Sequence, residues 1–157
     1  VGSEMCLSSV GSGGGSVVTY VKYGDKVYSP IIDRGEADLI LAFEMLEAMR
    51  ALPYLKKGGK MIANTQKMNP MPVITGAMEY PENIEEKLSA KINLQAVDAL
   101  SLAEKAGTIK AGNVVLIGLL AKSMDVDKNV WIDVIKETVP EKFLDVNIKA
   151  FELGYEL

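Results

Sequence analysis

The sequence predicts a three-layer α/β/α domain with a mostly parallel open sheet and a helical C-terminal region. Three observations support this prediction. The segment "ADLILAF" (37–43) is apolar at nearly every position, as is typical of a strand covered by helices on both faces. Segments with helix start and stop signals alternate with such strands, and from about residue 111 the pattern is helical throughout. Alternating strands and helices are typical of α/β domains.

The first half of the chain contains most of the predicted strands. "SVVTYVKYG" (16–24) is rich in β-branched and aromatic residues, and "GDK" predicts a turn that makes "VYSP" (27–30) its hairpin partner. "ADLILAF" leads into a helix at 44–55. We expect "KKGGK" (56–60) to end this helix, with its glycines supplying a left-handed cap. Three further segments read as strands: "MIAN" (61–64), "MPVITG" (71–76) and "NLQAVDA" (93–99).

The helices of the second half carry clear boundary signals. "PENIEEKLSAK" (81–91) begins with Pro81 and acidic residues, and "SLAEKAG" ends at Gly107. Three more helices are predicted after Gly107: "AGNVVLIGLLAKSM" (111–124), "DKNVWIDVIKETV" (127–139) and "EKFLDVNIKAFELGYEL" (141–157). Trp131 is interpreted as a packing anchor of the second of them.

Composition excludes several classes of function. The 157 residues fit one domain, and we expect a flexible or altered segment at 1–16 followed by a single domain at 17–157. A net charge of −4 argues against nucleic acid or anionic lipid as a partner, and no apolar run is long enough for a membrane span. One cysteine, Cys6, fits a reducing cytoplasm, and with no histidine the usual zinc sites cannot form.

The glycine run "VGSGGGS" (10–16) leaves two interpretations open. It is either a linker-like flexible coil or a loop that cradles phosphate, in which case Gly14, Gly15 and Ser16 are candidate cofactor-binding residues. No catalytic residue and no metal ligand is predicted anywhere in the chain, because no serine lies in a nucleophile motif and Cys6 has no flanking cation.

Polar side chains follow two of the predicted buried strands. Glu44 and Glu47 open the helix after "ADLILAF", and Asn64 ends "MIAN". We favour a structural role, because acidic side chains stabilise a helix N-terminus and an asparagine often bonds nearby backbone. The alternative is that Glu44 and Asn64 contact a cofactor, since ligands of open α/β sheets gather at the carboxyl ends of strands. Met68 and Met71, in the loop behind Asn64, would suit an adaptable contact surface.

The order of several segments resembles a known family. The segments are "GGSVVTYVKYGDKVYSP", "GEADLILAFEMLEAMRALPYLKKGGKMIAN", "GNVVLIGLLAK" and "WIDVIKETVPEKFLDVNIKAFELGYEL". In this order they resemble the beta subunits of indolepyruvate:ferredoxin oxidoreductases, which are related to the gamma subunits or domains of other 2-oxoacid:ferredoxin oxidoreductases. The similarity covers roughly residues 14–157. Its most distinctive part contains Asn147, Ala150, Phe151 and Gly154.

The resemblance implies a non-catalytic subunit of a complex that decarboxylates arylpyruvates to acyl-coenzyme A and reduces ferredoxin. It also implies that thiamine diphosphate, magnesium and iron–sulfur clusters belong to a partner subunit, that this chain holds no cofactor, and that the isolated chain is inactive. A free-standing nucleotide- or coenzyme A-binding domain is the alternative, and a homo-oligomer is a further candidate assembly. The sequence departs from the family at Ser12 to Gly15, where the family usually has Gln-Arg-Gly-Gly.

Overall fold

A computed structural model describes the backbone of residues 4–11 and all atoms of residues 17–157. The strands are β1 (Glu4–Gly11), β2 (Val17–Gly24), β3 (Ala37–Ala42), β4 (Leu55–Asn64) and β5 (Asn93–Val97). The α-helices are α1 (Met45–Ala51), α2 (Met71–Ile74), α3 (Ile84–Ser89), α4 (Ala99–Ala106), α5 (Gly112–Lys122), α6 (Lys128–Thr138) and α7 (Leu144–Tyr155). Short 3₁₀ turns lie at Leu52–Tyr54, Ile109–Ala111 and Glu141–Phe143.

The centre of the fold is a parallel sheet with strand order β3-β4-β5. Successive residues of β4 point to opposite faces of this sheet. Met61 packs into an apolar cluster with residues of α1 and α3, whereas Ile62 packs with residues of α4 and α5. Both side chains are completely buried. Helices therefore cover the sheet on both faces, and the predicted three-layer α/β/α architecture is confirmed.

Several predicted elements are confirmed with small changes at their ends. "ADLILAF" forms β3, "NLQAVDA" contains β5, "PENIEEKLSAK" contains α3 and the C-terminal region is helical. Gly107 follows α4 with φ +129°, a conformation that favours glycine, as its predicted role at the end of this helix requires. Trp131 stacks on Phe151 with ring centroids 6.5 Å apart, so its predicted role as a packing anchor is also confirmed.

The prediction that "KKGGK" ends a helix is wrong. Helix α1 ends at Ala51, and the residues that follow Tyr54 already belong to β4. Ala37 pairs with Leu55 but Leu39 pairs with Lys60, so residues 56–59 bulge out of the ladder. Both glycines serve this bulge: Gly58 has φ +82°, and a Cβ on Gly59 would lie 2.9 Å from the carbonyl oxygen of Asp38.

Two predicted strands are also wrong. The antiparallel partner of β2 is β1, and "VYSP" (27–30) forms no strand. Pro30 has no N–H to donate to a ladder, which weakens the "VYSP" segment as a strand. The segment "MPVITG" contains the short helix α2, because Pro70 and Pro72 fix the backbone angles that suit the first turn of a helix. The glycine run predicted to be flexible or phosphate-binding lies largely outside the described residues, at 12–16.

Helices α5 and α7 cross at two glycines. A Cβ on Gly118 would lie 2.0 Å from the carbonyl oxygen of Phe151, and a Cβ on Gly154 would lie 1.9 Å from that of Val115. Going forward along α5 from Val115 to Gly118 corresponds to going backward along α7 from Gly154 to Phe151, so the helices run antiparallel. Side chains larger than hydrogen at these two positions would force the backbones apart. The close approach lets Phe151 and Val115 become completely buried.

We predict that Gly118→Ala destabilises the fold by about 3 kcal/mol, because the added methyl group overlaps a backbone atom that cannot move alone. Urea unfolding followed by the fluorescence of the single tryptophan, Trp131, measures the loss. Gly112→Ala is the matched control in the same helix, since its Cβ would be 3.7 Å from the nearest atom. Equal stabilities of the two variants would contradict the crossing.

Candidate functional site

The candidate site lies at the carboxyl ends of the parallel strands. Glu44 follows the end of β3, Asn64 is the last residue of β4, and Asp98 follows the end of β5. Because the three strands are parallel and adjacent, these ends share one edge of the sheet. The helices α1 and α4 begin at the same edge. Ligands of open α/β sheets bind at this edge, so it is where function is expected.

Glu44 is a buried carboxylate with three hydrogen-bond donors around it. It is 6% exposed and lies at the N-cap position of α1, where one oxygen accepts the backbone N–H of Glu47 at 3.0 Å. The other oxygen accepts the backbone N–H of Met68 at 3.1 Å and the hydroxyl of Tyr80. Glu44 therefore joins the start of α1 to two separate points of the segment 65–80.

Tyr80 is held in its protonated form by this arrangement. Its partial burial raises the pKa of the phenol, and the hydrogen bond to Glu44 and the negative charge of that carboxylate raise it further. A phenol that donates to a carboxylate stays a donor through the physiological pH range. Its place at this site could not be found from the sequence, because 36 residues separate it from Glu44 and no local pattern marks it.

Asn64 connects the ends of two strands to a helix. Its side-chain amide donates to the backbone oxygen of Phe43 and to the side-chain oxygen of Gln66, each at 3.3 Å. Its carbonyl oxygen accepts the N–H of Ala99, the first residue of α4, at 3.2 Å. Asn64 is 6% exposed. The three contacts fix the end of β3, the loop after β4 and the start of α4 relative to one another.

The remaining acidic residues at this edge also make local contacts. Glu47 forms an ion pair with Arg50 at 2.5 Å on the exposed face of α1. Asp98 caps α4 by accepting the N–H of Ser101 at 3.0 Å, and the bonds from the hydroxyl and N–H of Ser101 hold the pKa of its carboxyl below the usual range. The structural roles favoured for Glu44, Glu47 and Asn64 agree with this geometry.

The geometry of this edge suits a structural role for its polar side chains. Glu44 and Asn64 direct their polar atoms at donors and acceptors of the chain itself, as described above. Within residues 17–157 and the described part of the N-terminus, no group of three or more Asp, Glu, Cys or His side chains could hold a metal ion. Among the described residues, no helix has both the length and the apolar character of a membrane span.

Of the candidate cofactor-binding residues, Gly14, Gly15 and Ser16 lie outside the described residues, so their role stays a prediction.

Several large apolar side chains are exposed in the segments next to the buried polar contacts. They lie at the end of β3 and in the segment 65–80, and each is at least half exposed: Phe43, Met68, Met71, Ile74 and Met78. We call these five residues the methionine surface. The segment that carries most of it is anchored to the core through the N–H of Met68 and the hydroxyl of Tyr80. The sequence indicated Met68 and Met71 as contact residues, and both are exposed as that role requires.

Comparison with known proteins shows the family to which the chain belongs. The family model described as "Pyruvate ferredoxin/flavodoxin oxidoreductase" matches residues 10–157. This match covers nearly the whole chain, and the layered α/β fold with a parallel sheet agrees with it. The chain belongs to this family of oxidoreductase subunits, as the order of its segments predicted.

Within the family, the similar curated proteins share one name. "Indolepyruvate oxidoreductase subunit IorB" of Thermococcus kodakarensis is 41% identical over an alignment of 148 residues, and the match covers 89% of this chain and 72% of that protein. The protein of the same name from Pyrococcus horikoshii is 42% identical over 146 residues, with the same two coverages. The one from Archaeoglobus fulgidus is 39% identical over 147 residues, covering 90% of this chain and 73% of that protein.

Solved structures support the fold. The gamma subunit of a keto/oxoacid ferredoxin oxidoreductase from Geobacter sulfurreducens superposes with a TM-score of 0.68 at 21% identity, covering 98% of this chain and 79% of that one. Pyruvate oxidoreductase subunit PORC from Thermotoga maritima gives a TM-score of 0.67 at 20% identity, with the same coverages. At these identities the comparison shows a shared fold.

We predict that Glu44→Ala destabilises the chain by about 2 to 4 kcal/mol, because it leaves the N–H of Met68 and the partly buried hydroxyl of Tyr80 without their acceptor. Urea unfolding measures the change. Glu47→Ala is the matched control on the same helix, where the exposed ion pair with Arg50 is worth about 0.5 kcal/mol or less. If both variants lose the same small amount, Glu44 does not organise the edge.

Tyr80 gives a second prediction, which concerns pH. Its pKa is higher in the folded chain than in the unfolded chain, so its contribution to stability is complete below the unfolded value of about 10 and is lost as pH rises through the folded value. Stability above pH 10 should therefore fall less steeply in Tyr80→Phe than in the wild type. Unfolding curves at pH 9, 10 and 11 measure the slopes. Tyr28→Phe, at an exposed tyrosine, should keep the wild-type slope, and identical slopes in all three proteins would contradict the role of Tyr80.

Proposed function

We propose that this chain is the smaller, non-catalytic subunit of an indolepyruvate:ferredoxin oxidoreductase and completes that complex. The observation that carries the proposal is the similarity of about nine tenths of the chain to proteins named indolepyruvate oxidoreductase subunit IorB, at 39 to 42% identity. The complex would oxidatively decarboxylate arylpyruvates to acyl-coenzyme A and pass the electrons to ferredoxin. Its expected location is the cytoplasm, and residues 17–157 would form one domain of the complex.

The cysteine and histidine content of the chain supports a division of roles between the subunits. An iron–sulfur cluster of the common types is held by four thiolates, and the whole sequence contains one cysteine and no histidine. The proposal therefore assigns the clusters to the larger partner subunit, and the family resemblance implies that thiamine diphosphate and its magnesium belong there too. The direct contacts of Glu44 and Asn64 within the chain support a role in shaping the edge. A cofactor contact by Gly14, Gly15, Ser16, Glu44 or Asn64 stays a prediction.

The methionine surface is the proposed contact with the larger subunit. Unbranched thioether side chains adapt to the shape of a partner, and large apolar residues exposed in neighbouring segments are typical of a protein–protein contact. The surface is also preorganised, because Glu44 holds the segment that carries it at the backbone of Met68 and at Tyr80. Less conformational entropy is then lost when the subunits associate.

The alternative function, a free-standing nucleotide- or coenzyme A-binding domain at the carboxyl edge, receives less support. The polar atoms of Glu44 and Asn64 that would contact such a ligand already bond to the chain. Calorimetric titration of the chain alone with coenzyme A distinguishes the two functions. The subunit proposal expects no saturable heat that depends on Glu44 or Asn64.

Co-expression with the large subunit of an indolepyruvate:ferredoxin oxidoreductase from the same organism tests the proposal. We predict that the two chains co-purify as a stable complex, and that Met71→Lys combined with Met78→Lys reduces the recovered complex at least tenfold, because two charges would be buried at the interface. The matched control combines Val130→Lys and Val134→Lys on the outer face of α6, where both valines are half exposed. The control should assemble normally.

Two results would count against this proposal. If the wild-type chain is not recovered with the large subunit at all, the assignment as a subunit fails. If the wild type assembles and both double variants assemble equally well, the chain is a subunit that uses another surface. Thermal unfolding of each isolated variant confirms that any loss of assembly does not come from misfolding.

A further inference from the structure

A cleft lies at the end of the sheet opposite the methionine surface. It has a volume of about 440 Å³ and opens between the bulge of β4 and the connection from α3 to β5. We call it the amino-edge cleft, because Asn93, the first residue of β5, and the bulge 56–59 line it. Its size falls within the range typical of small-molecule sites, about 300 to 1,000 Å³.

The lining of this cleft combines apolar side chains with positive charge. Its large apolar residues are Leu52, Leu55 and Ile92. Three lysines lie around it: Lys56, Lys57 and Lys91. Aliphatic side chains beside a few convergent charged groups are the usual lining of a site that orients an organic anion.

The charge of the cleft is only partly neutralised by the chain. Lys56 forms an ion pair with Asp38 at 3.1 Å. Among residues 17–157, no ion pair within 4.0 Å includes Lys57 or Lys91. Three ammonium groups and one carboxylate leave a local charge of about +2 in a chain whose net charge is −4. A group with two negative charges would balance the excess.

The bulge leaves room for such a group. Gly58 and Gly59 line the cleft without side chains, and the backbone there is fixed by the positive φ of Gly58 and by the close approach of Gly59 to Asp38. The lysines on either side of the cleft are therefore carried by the bulge of β4 and by the connection from α3 to β5. Lysine ammonium groups bind phosphate as point charges.

We propose that the amino-edge cleft binds a phosphate-bearing small molecule, with the phosphate between Lys57 and Lys91 and the organic part on Leu52, Leu55 and Ile92. The concave shape favours a small molecule over an acidic protein segment, which would need a longer and flatter surface. The proposal does not depend on the partner subunit, and the site is separate from the carboxyl edge. It can be tested on the chain alone.

Binding of ADP, with adenosine as the uncharged comparison, tests the proposal. NMR titration of the isotopically labelled chain at low ionic strength should show saturable binding of ADP, with the largest shifts at the amides of Gly58, Gly59 and Ile92. Adenosine should bind at least about tenfold more weakly, because it lacks the charge that the lysines recognise. Saturable binding centred on the amides of Glu44 or Asn64 would overturn the assignment of the site.

Paired variants separate this cleft from general attraction of anions. Lys57→Gln with Lys91→Gln should weaken ADP binding by about tenfold or more. The control, Lys26→Gln with Lys142→Gln, removes the same charge from exposed lysines that lie over Tyr28 and Phe143, and should change affinity less than about twofold. Absence of saturation, an equal loss in both variants, or tighter binding of a hexaglutamate peptide than of ADP would overturn the proposal.

Discussion

The close crossing of α5 and α7 is the contact on which the rest of the fold depends. Each helix presents a glycine where the other presents backbone, so the two can approach to a distance that no side chain would allow. This approach buries Val115 and Phe151 completely and builds the layer that covers one face of the sheet. With α1 and α3 on the other face, the strands are held between two apolar layers. The positions of their carboxyl ends follow from that packing.

At these strand ends, hydrogen bonds of buried polar groups fix the loops that form the surface. The polar atoms of Glu44 and Asn64 are buried away from water. They bond instead to donors and acceptors from three separate segments of the chain. Removing one member leaves the others unsatisfied, so such contacts specify one arrangement of the loops. The methionine surface owes its position to this arrangement. Adaptable apolar side chains on a fixed backbone suit the proposed role of a subunit that associates with a larger partner.

Periodicity in the sequence was sufficient to predict β3, β5, the C-terminal helices and the layered architecture, because these elements depend on local pattern and burial. It failed at "KKGGK", where glycines that could cap a helix serve a strand bulge opposite Asp38 instead. It failed at "MPVITG", where apolar residues suggested a strand but Pro70 and Pro72 favour a helical turn. The roles of Glu44 and Asn64 were indicated by their places after strands. The contribution of Tyr80, and the pairing of Gly118 with Phe151, depend on contacts between distant segments that no local pattern records.

In the proposed complex this chain supplies shape and assembly, and its partner supplies the redox chemistry. Reconstitution tests that division most directly, by measuring indolepyruvate- and coenzyme A-dependent reduction of ferredoxin with each purified subunit alone and with the two combined. We predict no turnover by this chain, and turnover by the combined subunits that exceeds that of the large subunit alone. Turnover by this chain in the absence of its partner, or full activity of the partner without it, would contradict this division of roles.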